Sequence, residues 1–187
     1  LFEVTDPNAS ILFANSALVT DRVTINCDVK LPNGSSNGCN SMVTIEVDDN
    51  LTEFVLHSNN DLVFNKAIIQ NVKTSGSGSF TVDSGLLIGA GSAWTLNSVP
   101  TSKTLYWIGG TGDYDDPAHW SLSSGGNPTN CIPSLVDNVI FDGNSFNDVN
   151  QKVRMDVDKP NACRSLTWSA NPFDAAMERE WIGRAHV

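Results

Sequence analysis

Ile11-Leu12-Phe13, Ile25-Asn26-Cys27-Asp28-Val29, Pro32 and Asn37-Gly38-Cys39 return in the same order as Val139-Ile140-Phe141, Val153-Arg154-Met155-Asp156-Val157, Pro160 and Asn161-Ala162-Cys163. A shift of 128 residues superposes the first three groups and also sets Leu18 on Phe146. If residues 33–36 are removed, the register continues at a shift of 124. Cys39 then meets Cys163, and Ser41-Met42 meets Ser165-Leu166. Self-similarity at a fixed period marks a chain built from copies of one folding unit. One nearly complete unit is expected over residues 1–102 and the opening of a second over 103–173. A start at Leu1-Phe2-Glu3-Val4 reads as neither a leader nor an initiator Met, so a longer parent is expected.

Between and around these copies run short β-branched and aromatic stretches bounded by Gly, Asn, Asp or Ser. Examples are Met42 to Val47, Phe54-Val55-Leu56, Ala67 to Val72, Trp94-Thr95-Leu96 and Leu105 to Ile108. From residue 43 to 96 the strand starts follow one another too closely for crossover helices. Leu62-Val63-Phe64, Phe80-Thr81-Val82 and Leu86-Leu87-Ile88 are followed by Asn65, Asp83 and Gly89. Strand, polar or glycine corner, strand is the pattern of a coil. The expected fold is all-β, a right-handed parallel β-helix-like solenoid with loops 30–41 and 108–138 on its outside. Its strands would pair in parallel with residues 20–25 away. The alternative is one or two antiparallel β-sandwich units, which would pair near neighbours in hairpins.

The 187 residues carry 21 Asp+Glu against 11 Lys+Arg, a formal net charge of −10. Nucleic-acid phosphates need Lys and Arg, so no nucleic-acid partner is expected. No apolar run reaches the length of a membrane span, so membrane insertion is not expected either.

The opening of the second unit has a motif of its own: Tyr106-Trp107-Ile108-Gly109-Gly110-Thr111-Gly112-Asp113-Tyr114-Asp115-Asp116-Pro117-Ala118-His119-Trp120-Ser121. Cys131-Ile132-Pro133 and Asp137-Asn138-Val139-Ile140-Phe141-Asp142 follow. This resembles the repeats of very large secreted surface proteins of Bacteroidetes, of the gliding-adhesin and autotransporter-like kind. Tyr114 departs from it, since the family usually has Trp there. The resemblance covers residues 105–172, and 9–45 through the internal repeat. It implies export to the cell surface, a β-helical stalk and adhesive or structural duty, with neighbouring repeats of the same polypeptide as partners. It carries no catalytic residue. In physical terms the glycines allow sharp turns, and Trp107 and Trp120 are large apolar plugs that close a coil or staple a loop over it.

Four cysteines, Cys27, Cys39, Cys131 and Cys163, show neither a CxxC pair nor zinc spacing. In an exported chain an even count reads as two disulfides. Because the repeat equates Cys39 with Cys163, the expected bridges are Cys131–Cys163 and Cys27–Cys39. The other pairings and free thiols stay open.

Asp113, Asp115 and Asp116 crowd one loop, with Asp142 a further carboxylate, and hard oxygen ligands of this kind suit Ca²⁺. EF-hand spacing is absent, so a solvated acidic loop is the plainer reading; Asp48-Asp49 reads as a turn. His119 beside Asp115 and Asp116 invites an acid–base reading, but Pro117 and Trp120 around it suit a packed loop residue. His57 and His186 have no companions, and no Gly-x-Ser-x-Gly elbow occurs. Trp94, Trp107 and Trp120 would stack on sugar rings if exposed. Polysaccharides or cell-surface glycans are therefore the external partners to consider. The sequons at Asn8, Asn33 and Asn50 say little in a bacterial protein. The tail, 174–187, contains Ala175-Ala176-Met177-Glu178-Arg179-Glu180-Trp181-Ile182, which favours helix, and is either a cap or a cloning remnant. A structural or adhesive module is thus the leading expectation and a carbohydrate-binding module the second. An enzyme acting on polysaccharide is the third, with paired carboxylates on a β-helix.

Overall fold

In a computed structural model of the chain, the residues described are 2–3, 10–13, 22–24, 29–30, 39–40, 42–47, 54–91, 93–156, 161–169 and 175–180. Over these residues the chain is all-β, without an α-helix, and forms several mostly parallel sheets that do not close into a barrel. No helix among them is long and apolar enough to cross a membrane. The chain divides into two compact units, Leu1–Ser36 with Ser41–Pro100, and Asn37–Asn40 with Thr101–Val187.

The first unit contains β1 (Phe2–Glu3), β2 (Ser10–Phe13), β3 (Arg22–Thr24), β4 (Val29–Lys30), β5 (Val43–Val47), β6 (Phe54–His57), β7 (Leu62–Gln70), β8 (Val72–Ser75), β9 (Phe80–Ile88) and β10 (Trp94–Leu96). The chain visits its sheets in rotation. β1 pairs with β4, β2 with β5 and β3 with β6, in three separate sheets. From β5 to β9 it alternates between two, with β5, β7 and β9 in one and β6 and β8 in the other, and β10 then joins β9 in the same sheet. Every one of these ladders is parallel.

Residues 54–57, 62–64 and 67–70 lie on residues 72–75, 80–82 and 85–88 at a separation of 18. Phe54 faces Val72, Leu62 faces Phe80 and Gln70 faces Ile88. The register slips only at the corner, where Asn65 faces Ser84 and Ala67 faces Gly85. Each strand has one extra residue there, Lys66 and Asp83, so the slip cancels; Lys66 takes a left-handed φ of 53°. Outside, polar side chains repeat the same pairing. Ser79 donates its backbone N–H and its hydroxyl to Asp61 Oδ1 at 2.8 and 2.7 Å. Ser77 N donates to Asn59 Oδ1 at 3.2 Å, and His57 Nδ1 meets Ser75 Oγ at 2.9 Å. These two bonds from Ser79, the backbone one first, hold the Asp61 carboxyl below the usual carboxylate range.

Inside, alternate residues of each strand fill the core, as the two-residue period of a strand requires. Val43, Ile45, Leu56, Leu62, Phe64, Ala67, Ile69, Val72, Phe80, Val82 and Trp94 form one cluster. Each fully buried aliphatic or aromatic side chain contributes about 1.5–3 kcal/mol. Trp94 meets Phe64 and Phe80 edge-on at 5.5 Å each and donates Nε1–H to the Val72 carbonyl at 2.8 Å.

The second unit contains β11 (Thr104–Trp107), β12 (Gly112–Asp113), a 3₁₀ turn Pro117–His119, β13 (Trp120–Ser121), β14 (Asn138–Phe141), β15 (Lys152–Asp156), β16 (Ser165–Trp168) and β17 (Ala176–Glu180). One sheet has the order β13-β11-β14-β16, the other β12-β15-β17. Only β11–β13 is an antiparallel ladder, followed by the bridge Ser121–Pro128. The antiparallel sandwich is therefore not the arrangement of these residues.

Three further expectations are corrected. Both copies of the repeat are extended where described and share strand order: β2 pairs with β5 and β3 with β6, as β14 does with β16 and β15 with β17. Their registers differ, however. Ile11 faces Ile45 whereas Val139 faces Leu166, so the second copy is shorter by seven residues over this span, not four. The separations do not keep to 20–25. Val43 faces Ala67, but Phe80 faces Trp94 and Gly112 faces Val153, because a parallel return sets no limit on the outer loop. Nor is the tail helical where described. β17 pairs with all five residues of β15, and Lys152 Nζ meets Glu178 Oε1 at 3.0 Å. A helix preference of a few tenths of a kcal/mol per residue yields to a ladder that also shelters Met177.

Gly85 tests the close packing of β9 on β7. A Cβ on it would lie 1.8 Å from the Ala67 carbonyl oxygen. Gly85→Val is expected to lower the stability of the first unit by about 3 kcal/mol, the upper range for overpacking. Gly143→Ala, where a Cβ meets nothing within 4 Å, should stay within about 0.5 kcal/mol. Urea denaturation followed by intrinsic fluorescence measures both.

Candidate functional site

The motif that opens the second unit folds into a loop held by aromatic rings. After β11, Gly109 and Gly110 take φ of 85° and 77°, and the turn lets Trp107 donate Nε1–H to the Gly110 carbonyl at 2.8 Å. Asp116 then caps the 3₁₀ turn by accepting from Ala118 N at 2.9 Å, with Pro117 at its first position. That turn delivers His119 flat onto Trp107, centroids 4.6 Å apart and planes 8° from parallel. The ring lies across the loop glycines: a Cβ on Gly112 would come 2.1 Å from His119 Nε2. Trp120 stands edge-on to Trp107 at 5.1 Å and to Tyr114 at 5.0 Å, and donates Nε1–H to the Tyr114 carbonyl at 2.7 Å. Phe141 links this group to Trp168 at 4.6 Å and to Phe146 at 6.2 Å.

Below the rings sits a polar clamp. Asp137 is buried, and its carboxylate accepts four hydrogen bonds. Oδ1 takes Asn40 Nδ2 at 2.7 Å and Lys103 N at 3.0 Å, while Oδ2 takes Ser134 N at 3.0 Å and Ser134 Oγ at 2.7 Å. Asn40 Nδ2 also donates to the Thr101 carbonyl at 2.9 Å. Beside Asn40, Cys39 is bonded to Cys131 with Cα atoms 5.4 Å apart, closing a span of 92 residues. Ordering such a loop in the unfolded chain costs about 4–5 kcal/mol in the chain-entropy account.

The bridge corrects the expected pairing. Matching Cys39 to Cys163 suggested that each would pair inside its own repeat. But Asn37–Asn40 count with the second unit, and this puts Cys39 within reach of Cys131. Cys163 keeps a free thiol, half-buried beside Tyr114. Burial pushes that thiol up, partly offset by a hydrogen bond with the Tyr114 hydroxyl. Burial likewise raises Tyr114 above the usual phenol range, with Cys163 adding to it. The Tyr114 hydroxyl donates to the Ala162 carbonyl at 3.1 Å. Cys27 lies outside the described residues.

The other candidate residues are placed as follows. Trp94, Trp107 and Trp120 are all buried, so none offers a face to a sugar ring; each sits at a core position of its strand. Asp113, Asp115, Asp116 and Asp142 do not assemble a Ca²⁺ cage: among the described residues no three His, Cys, Asp or Glu side chains come together to hold a metal. Asp113 pairs with Arg154 Nε at 2.6 Å, Asp116 caps the 3₁₀ turn, and Asp142 accepts from Asn144 N at 2.9 Å. His119 Nδ1–H donates to the Ile108 carbonyl at 2.7 Å, leaving Nε2 at 3.9 Å from Asp116 Oδ2, beyond hydrogen-bond reach. This is the geometry of a packed ring. Residues 48–50, Asn8, Asn33 and His186 lie outside the described residues.

Comparison with family models, curated proteins and solved structures finds no match to the chain.

Sequence reasoning passed over Asn40 and Asp137. Their only local signals were that Asn40 follows a cysteine and that Asp137 opens an apolar strand.

Two outcomes test this region. Asp137→Ala strands four donors and should destabilise the second unit by about 3–5 kcal/mol, measured by urea unfolding, with Asp137→Asn costing less. The raised Cys163 thiol supplies stability that is complete below its unfolded value near 9 and lost as pH rises through the higher folded value. Unfolding midpoints should thus fall above pH 9, and less steeply in Cys163→Ser. Equal slopes in the two proteins would show that the thiol is not shielded.

Proposed function

We propose that this chain is a structural and adhesive repeat module of a secreted or cell-surface bacterial protein, coiled as a right-handed parallel β-solenoid. The observation that supports the coil best is the separation of 18 at which residues 54–57, 62–64 and 67–70 lie on residues 72–75, 80–82 and 85–88. A chain that advances one strand spacing per 18 residues, laying apolar residues inward and Ser, Asn and Asp outward, is winding about an axis. Handedness follows from the general rule for parallel crossovers. The Cys39–Cys131 bridge is consistent with an oxidising, extracellular location. The adhesive duty rests on the likeness of residues 105–172 to the repeats of gliding adhesins and autotransporter-like proteins of Bacteroidetes. Carbohydrate binding through Trp94, Trp107 and Trp120 loses its support with their burial, and no observation favours it or a polysaccharide-active enzyme.

Antibody raised against the chain should label intact producing cells, and external protease should remove the label together with adhesion to surfaces. Labelling seen only after lysis would overturn the surface assignment. Purified chain immobilised on beads should retain them on bacterial or abiotic surfaces more strongly than a β-rich control of equal charge. Equal retention would count against adhesion.

A further inference from the structure

β16 and β17 are the outer members of their two sheets, and among the described residues no strand lies against their free edges. The inward row Leu105, Val139, Leu166 runs from 1% and 0% exposed to 45%. The adjacent row Trp107, Phe141, Trp168 also ends half-buried, as does Met177 opposite Val153. Among the described residues nothing covers Leu166 as β7 covers β5, and a sheet edge of this kind offers backbone N–H and C=O groups to a further strand.

The same chain contains the covered version. β5 and β6 hold the places in the first copy that β16 and β17 hold in the second. There the next turn, residues 62–75, lies on them: β7 pairs with β5 and β8 with β6. Under that cover Val43, Ile45 and Leu56 are 1%, 5% and 2% exposed.

We infer that the free edge of β16 and β17 is a docking edge for one further parallel turn with the apolar pattern of residues 62–75, presented by another repeat unit. The inference rests on the repeat-module reading and names its partner surface. Strand addition supplies the backbone hydrogen bonds, and alternate side chains supply the fit. The occupant therefore needs branched or aromatic residues at alternate positions, a polar corner and a second short strand. Leu62, Phe64, Ala67, Ile69 and Val72 supply the apolar positions in the internal example.

The probe is a synthetic peptide of residues 60–76, titrated into the full chain and followed by amide hydrogen exchange. Residues 165–168 and 176–180 should become protected at least tenfold, in a saturable way. A scrambled peptide, or one with Phe64→Ser and Ile69→Ser, should give no protection. Leu166→Arg, at an exposed position, should abolish binding while β14 and β15 amides stay as slow as in the parent. Absence of protection at saturating peptide, or equal protection by the scrambled peptide, would overturn the inference. So would a Leu166-dependent self-association that the peptide does not displace, which would assign the edge to a second copy. Fast exchange of β14 and β15 in the free chain would instead overturn the coil. Slow exchange there, with a β16–β17 edge indifferent to peptide, removes the docking inference alone.

Discussion

Parallel pairing is the constraint from which the rest follows. A parallel ladder obliges the chain to return to the side where it began before it lays down the next strand. Between Leu62 and Phe80, and between Phe80 and Trp94, the chain has too few residues to return through a helix and its loops. The return path in the first case is itself extended: it is β8, which pairs with β6 and builds a second sheet. Short parallel returns and an all-β chain thus imply each other.

Rotation then sorts the side chains. A residue that points inward in one strand lies above an inward residue in the next, so apolar positions form rows, and the largest side chains end inside. That is why Trp94, Trp107 and Trp120 are buried in the two cores and not displayed. Outside, identical stacking brings polar corners together, and Asp61 with Ser79 or Asn59 with Ser77 satisfy each other across the rungs. Asp61 and Asp83 stay on the exposed face. The cost of the design falls on its last strands, where Leu166 has an inward direction and too little to cover it.

Local features of this arrangement were legible in the sequence, and relations across turns were not. Asn65, Asp83 and Gly89 read as corners because polar residues and glycine interrupt apolar runs there. The register slip falls beside Asn65 and at Asp83, and Gly89 has a φ of 60°. The likeness of residues 11–13 to 139–141 correctly paired β2 with β14 in strand order. Register was beyond it, since Ile45 and not Met42 takes the place of Leu166, and only the ladder distinguishes them. The cysteine pairing failed for the same reason: it depends on which unit residues 37–40 join, a property of the folded chain. In the tail, local preference pointed to helix, and a partner strand distant in sequence decided otherwise.

The return from β11 to β14 carries an antiparallel excursion, and polar groups gather on it. Leu105 and Val139 are ladder partners 34 residues apart, with an antiparallel excursion through β13 between them. Closing a longer loop costs little more entropy per added residue, but an excursion with no core of its own must be held to the surface it crosses. Three devices do so. Rings of Trp107, His119, Trp120 and Tyr114 pack the near end of the excursion. The Cys131 bridge ties its middle to Cys39. Asp137 ends it by gathering Ser134, Lys103 and Asn40 on one carboxylate. Glycine at positions 109 and 112 serves the first device directly, because the His119 ring occupies the space that side chains there would fill. The Gly-rich, Trp-rich motif thus fastens an antiparallel excursion between two parallel strands. Asp113 is engaged in an ion pair, Asp116 in a cap and Asp142 in a turn of its own, so the carboxylates that suggest a metal site in sequence gather no such group among the described residues.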